Sequence, residues 1–229
     1  MIEIYGCRLM DSNRFLEIKN LILEYLPEAS REKINRYKSP VDQQRKMIGE
    51  MLVRSVTASK LKLNSHDIHF YYSEKNKPLL LDLDTLHFNI SHSGDWVVAA
   101  FSEQPVGVDV EKVRKMNSGV ARRFFSEEEV AALTRLPLSR QTDLFFELWT
   151  CKESYLKAIG TGLTRALNSF TVRHEDHGIG LYEENRRVNV YLQQFTLDRS
   201  HKLAVCGYED EICRDVRRLF VDDLIGRSL

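Results

Sequence analysis

From Val106 to Glu111 the chain alternates apolar and acidic side chains, with Val106, Val108 and Val110 set against Asp109 and Glu111. A period of two belongs to a β-strand, whose successive side chains point to opposite faces. The valines can then enter a core while two carboxylates stand together on the other face. Gly107, without a side chain, allows another backbone or a ligand to approach that strand closely. The preceding Trp96–Phe101 segment is apolar on both faces, which predicts a central sheet position for this region. Acidic pairs also occur on solvated strand faces, so the company they keep decides their meaning.

Two other segments supply that company. Asn89-Ile90-Ser91-His92-Ser93-Gly94 reads as a strand running into a turn rich in hydroxyls, and Trp149–Lys157 reads as a helix carrying Glu153 between Lys152 and Lys157. Three carboxylates facing a histidine- and hydroxyl-bearing turn repel one another unless a cation sits between them. All-carboxylate donors without a histidine or cysteine cluster suit magnesium better than zinc. The bland alternative for Glu153 is an i, i+4 surface pair with Lys157, stabilising its helix by about 0.3–0.5 kcal/mol. Lys33, Arg45 and Lys77 add cations that suit a ligand with several phosphates. His92, in its turn, is placed for a phosphate contact. His66 with His69 and His174 with His177 have no third ligand nearby and read as surface groups, and the basic run Arg31–Lys38 reads as a solvated face.

Patterning divides the chain into two comparable halves. Met1–Met10 predicts a strand, and Phe15, Ile18, Ile22 and Leu26 recur at helical spacing until Pro27. Asp42 is the expected cap of a helix with Met47, Ile48, Met51, Leu52 and Val56 as its apolar stripe. Strands follow at 68–72, 87–91, 96–101 and 106–111. In the second half, Ser126 and Glu129 form a capping box. A helix is expected from about 142 to 158, ending before Gly160-Thr161-Gly162, with strands at 169–174, 187–195 and 202–207. With a break near Pro105, residues 1–105 and 106–209 are expected as two α+β subdomains. The charged tail from Asp210 to Leu229 is expected to be peripheral.

Composition excludes several roles. The 229 residues can bury a sizeable core. Thirty-three basic and 33 acidic side chains cancel, so no overall field draws the chain to nucleic acid or an acidic membrane. Its apolar runs are too short for a bilayer span, and its start lacks the pattern of a signal peptide, so a cytoplasmic address is expected. The four cysteines show neither CxxC nor zinc spacing and are expected as free, mostly buried thiols, with Cys151 near the site. No P-loop, dinucleotide fingerprint or nucleophile elbow occurs.

In order along the chain, Lys77-Pro78, Phe88–Gly94, Gly107–Glu111, Arg123-Phe124-Phe125-Ser126 and Trp149–Lys157 with Gly160-Thr161-Gly162-Leu163 resemble the 4′-phosphopantetheinyl transferases, in particular the monomeric surfactin-synthetase-activating type. That resemblance implies an α+β fold of two similar subdomains about a pseudo-twofold axis, with coenzyme A held in the cleft between them. It implies magnesium-dependent transfer of 4′-phosphopantetheine from coenzyme A to a serine of an apo peptidyl or acyl carrier protein, releasing 3′,5′-ADP. Asp109, Glu111 and Glu153 match its metal ligands, with Glu153 the expected base. Lys33, Arg45, Lys77, Ser91, His92, Lys152 and Lys157 match positions that hold coenzyme A. Thr161 and Lys46 depart from the pattern, at positions where the family often has lysine and a hydroxyl residue. Segment 113–125, with Arg114, Lys115, Arg122, Arg123, Phe124 and Phe125, is the expected carrier-docking surface, the alternative being that its phenylalanines are core.

Overall fold

A computed structural model describes residues 1–75, 77–115 and 118–226. Its first half runs β1 (Glu3–Arg8), α1 (Ser12–Glu24), α2 (Glu28–Asn35), α3 (Pro40–Leu61), β2 (Phe70–Tyr72), β3 (Pro78–Leu80), β4 (His87–Ser93) and β5 (Trp96–Ser102). The second continues with β6 (Val106–Lys112), α4 (Ser118–Phe124), α5 (Glu127–Arg135), α6 (Leu138–Ile159), β7 (Thr171–Glu175), β8 (Gly178–Glu183), β9 (Arg186–Arg187), β10 (Tyr191–Asp198) and β11 (His201–Gly207). The chain closes with β12 (Arg217–Leu219) and α7 (Val221–Gly226).

Local chemistry sets the helix ends. Ser39, rather than Asp42, caps α3; Pro40 occupies the first helical position, where its missing N–H costs no bond, and Asp42 lies in the first turn. The Ser126/Glu129 capping box opens α5, and Gly160 at φ +69° ends α6, which starts four residues earlier than its apolar spacing predicted. The expected strand across residues 187–195 is split, with β9 ending at Arg187 and β10 starting at Tyr191, and β8 was not anticipated.

Two sheets carry the halves, in the orders β12-β1-β5-β4 and β6-β11-β10-β8-β7. Each is covered by a 22-residue helix, α3 on the first and α6 on the second. Alternation along β5 shows how the layers join. Val97, Ala99 and Phe101 face α3, whereas Trp96, Val98 and Ala100 meet Val106, Val108 and Val110 of β6 in a third core between the sheets.

The two sheets meet edge to edge through side chains. Asn89, Ser91 and Ser93 alternate along β4, and their side-chain oxygens accept the backbone N–H groups of Val108 (3.0 Å), Val110 (3.3 Å) and Lys112 (3.0 Å). These bonds satisfy the edge of β6 opposite β11, so neither half leaves that edge bare.

The tail is not peripheral. Strand β12 pairs in parallel with β1, Gly6 opposite Arg218, and Val221 and Leu224 of α7 are buried in the first core. The charges that gave the tail a solvated look lie on exposed positions between these anchors.

Gly107 sets the distance between β6 and α6. A Cβ there would fall 2.0 Å from the Ser154 carbonyl oxygen and 2.4 Å from the Ala158 nitrogen, both backbone. Gly107→Ala is expected to displace α6 and destabilise the fold by about 1–3 kcal/mol, read as a lower urea midpoint. An unchanged midpoint would show that the strand–helix contact has slack.

Candidate active site

Strand β6 and helix α6 bring the three carboxylates to one cavity. Asp109, Glu111 and Glu153 line one cavity of about 470 Å³, together with Arg123, Phe124, Trp149 and Arg165. Asp109 is buried, and its Oδ1 accepts from Lys157 Nζ (2.6 Å) and Ser91 Oγ (3.0 Å). Glu111 accepts from Ser93 Oγ at 2.7 Å. Burial raises the Asp109 carboxyl above its ordinary range, against the pull of Lys157. Burial also raises Glu111 and Glu153, each further by the negative charge of Asp109.

These residues fit a hard divalent cation. Asp109 Oδ2 is buried and accepts no hydrogen bond among the described residues, the donors are all carboxylate oxygens, and their mutual repulsion is what a cation would relieve. Among the described residues no three acidic, histidine or cysteine side chains already converge on a ligating point, so the set shares a cavity without being drawn together. Lys157 supplies the cationic charge next to Asp109.

A second cavity, of about 210 Å³, lies beside β4 and is lined by Tyr37, Asp42, Arg45, Lys46, Pro78 and His92 among others. Arg45 donates from Nη2 to the Gly94 carbonyl (2.6 Å) and from Nη1 to Asp42 (3.1 Å), while its buried Nε donates to no protein acceptor. His92 is held below its usual pKa by desolvation and by the nearby Arg45 charge. Lys77 donates to the Lys157 carbonyl at 2.7 Å, in the last turn of α6. Its pKa is lowered by burial and by Lys157. Lys33 stands apart from this cavity lining, with its ammonium 3.8 Å from the Tyr72 ring centroid.

Lys152 is a correction. Its side chain faces the interior, fully buried, paired with Glu129 Oε2 at 2.8 Å and donating to the Leu167 (2.9 Å) and Phe170 (2.6 Å) carbonyls. Successive positions on a helix diverge by about 100°, so Glu153 facing the cavity turns its neighbour toward the core. Burial lowers the Lys152 pKa, and Glu129 opposes that shift. Glu129 also accepts from Ser126 N and Val172 N. The capping-box pattern located Glu129 but gave no sign of its buried partner. Asn89 and Ser93 were likewise visible only as members of a turn motif; their alternation with Ser91 was the available signal.

Cys151 is buried, and desolvation pushes its thiol up to about 12, so it offers no thiolate to the site. Within the expected docking segment, Met116 and Asn117 lie outside the described residues. Phe125 is core at 3% exposure, the alternative weighed for these phenylalanines, whereas Phe124 and Arg123 line the carboxylate cavity. Arg114 and Lys115 line an adjoining cavity with Phe145, Phe146 and Trp149. Among the described residues no helix is long and apolar enough to cross a membrane.

Comparison with known proteins identifies the family. Residues 105–206 match the model of the 4′-phosphopantetheinyl transferase superfamily, and residues 17–104 match that of the 4′-phosphopantetheinyl transferase N-terminal region. The 4′-phosphopantetheinyl transferases ffp of Bacillus subtilis and Sfp of Bacillus subtilis strain 168 are each 36% identical over 225 residues, covering 98% of this chain and 100% of the relative. The 4′-phosphopantetheinyl transferase gsp of Aneurinibacillus migulanus is 33% identical over 211 residues, covering 92% of this chain and 88% of the relative. With relatives matched from end to end and both halves accounted for, the chain belongs to the 4′-phosphopantetheinyl transferase family.

Proposed function

We propose that Asp109, Glu111 and Glu153 hold a magnesium ion, and that Arg45 and His92 hold a coenzyme A phosphate in the second cavity. The reaction itself is that of the family: 4′-phosphopantetheine leaves coenzyme A for a serine of an apo carrier protein, and 3′,5′-ADP is released. The observation that supports the assignment is the single turn, residues 93–94, that hydrogen-bonds one lining residue of each cavity. Ser93 holds Glu111 on one side and the Gly94 carbonyl holds Arg45 on the other.

When bound, magnesium supplies charge neutralisation for the pyrophosphate as its bridging oxygen leaves. Lys157, tethered by Ser91 and the Val108 carbonyl, has an ammonium next to Asp109 for the pyrophosphate oxygens. Glu153 is the base that takes the serine proton, since it lines the cavity from the helix side, between Trp149 and Arg165. Phe124, Arg123, Arg114 and Lys115 present a mixed apolar and basic rim suited to an acidic carrier. The protein acts as a cytoplasmic monomer on peptidyl or acyl carriers, with no nucleic acid or membrane involved.

Intact-mass spectrometry of an apo carrier incubated with the protein, coenzyme A and magnesium tests the reading. A phosphopantetheine-sized gain, lost with chelator, is expected. Release of 3′,5′-ADP without a carrier would mark a hydrolase instead, and binding of coenzyme A with neither outcome would mark a binding module. Arg45→Ala should weaken coenzyme A binding roughly 10- to 150-fold, the worth of a hydrogen bond to a charged group. Calorimetry showing wild-type affinity would remove Arg45 from the phosphate site.

A further inference from the structure

His201 lies outside every motif considered above, yet it sits directly beneath the turn that serves both cavities. It opens β11, opposite Lys112 of β6, and its ring is buried. Nδ1 lies 3.0 Å from both Asp198 Oδ1 and Ser200 Oγ. Asp198 is itself fixed by the Trp96 indole N–H (2.8 Å) and the Ser200 N–H (2.7 Å). The other ring nitrogen, Nε2, is buried, makes no hydrogen bond among the described residues, and lies 3.6 Å from Asp95 Oδ1.

That edge of the ring meets the turn. Gly94 has φ +56°, and a Cβ built on it would fall 2.5 Å from His201 Nε2 and 2.8 Å from Lys112 Cδ. The hairpin therefore rests on His201 with no room to settle lower. Asp95, the next turn residue, is pulled outward by Arg8 at 2.6 Å and faces the same imidazole. Support from the second half thus fixes a turn of the first, and the turn's Gly94 carbonyl in turn aims Arg45.

We infer that His201, held by Asp198, is a positioning residue for coenzyme A binding: it sets the height of the 93–95 turn and, through the Gly94 carbonyl, the orientation of Arg45. The inference rests on the functional reading above. His201 touches no substrate and exchanges no proton in the reaction. Its removal lets the turn sink and leaves Asp42 as the one fixed acceptor of Arg45 named above.

The test is steady-state transfer to a carrier protein by His201→Ala and by His201→Gln, which retains a polar side chain if the alanine variant folds poorly. The KM for coenzyme A is expected to rise about tenfold, the loss of one oriented hydrogen bond, with kcat and the KM for carrier close to wild type. Combined with Arg45→Ala, the His201 substitution should add little, because both act through one contact. A lowered melting temperature with an unaltered coenzyme A KM would overturn the inference, as would full additivity with Arg45→Ala. Wild-type protein that transfers nothing would instead overturn the functional reading, so the two failures are distinguishable.

Discussion

Glu153→Gln is expected to slow carrier modification by about 10²–10⁴-fold, the usual contribution of a positioned general base, while coenzyme A remains bound. The substitution keeps the side-chain volume on α6 and removes its charge and its basicity. The phosphate cavity containing Arg45 and His92 does not include Glu153. Single-turnover mass spectrometry reads the first effect and calorimetry with coenzyme A reads the second. Loss of coenzyme A binding together with turnover would show that Glu153 acts in holding the substrate. Turnover at the wild-type rate would remove it from the chemistry.

Lys152→Met should produce the largest loss of stability, about 3–5 kcal/mol, because it leaves the buried Glu129 carboxylate without its counter-charge. The Leu167 and Phe170 carbonyls would also lose their donor. Lys202→Met is the control: Lys202 pairs with Glu147 at 2.8 Å, but its side chain is 28% exposed. An accessible pair of that kind contributes about 0–1 kcal/mol. Urea titration of both variants compares them directly. Equal small shifts would show that the buried Lys152–Glu129 pair contributes no more than an accessible one.

These contrasts mark what one-dimensional patterning can and cannot reveal. The strand at Val106–Glu111, the glycine against which α6 packs and the capping box of α5 each follow from residues adjacent in sequence, and each was legible there. That Glu153 shares a cavity with Asp109 and Glu111 was read from the three motifs taken together and from the family resemblance, since nothing local ties α6 to β6. Lys152 was misread because a helix periodicity shows which positions share a face but not which face holds a buried carboxylate 23 positions earlier. Strand β8 was hidden by Gly178 and Gly180, which weaken strand patterning while serving a tight hairpin with β7. The Asn89–Ser91–Ser93 row looked like a polar turn because its partners are backbone groups nineteen residues away.

The parallel pairing of β12 with β1 also governs the order in which the molecule can be made. Strand β1 is synthesised 212 residues ahead of its outer neighbour, with Tyr5 opposite Arg217. Until then the edge of β1 is an unpaired template, and the cover supplied by Val221 and Leu224 is missing from the first core. The nascent first half must therefore wait for the second half to be translated before its sheet is closed.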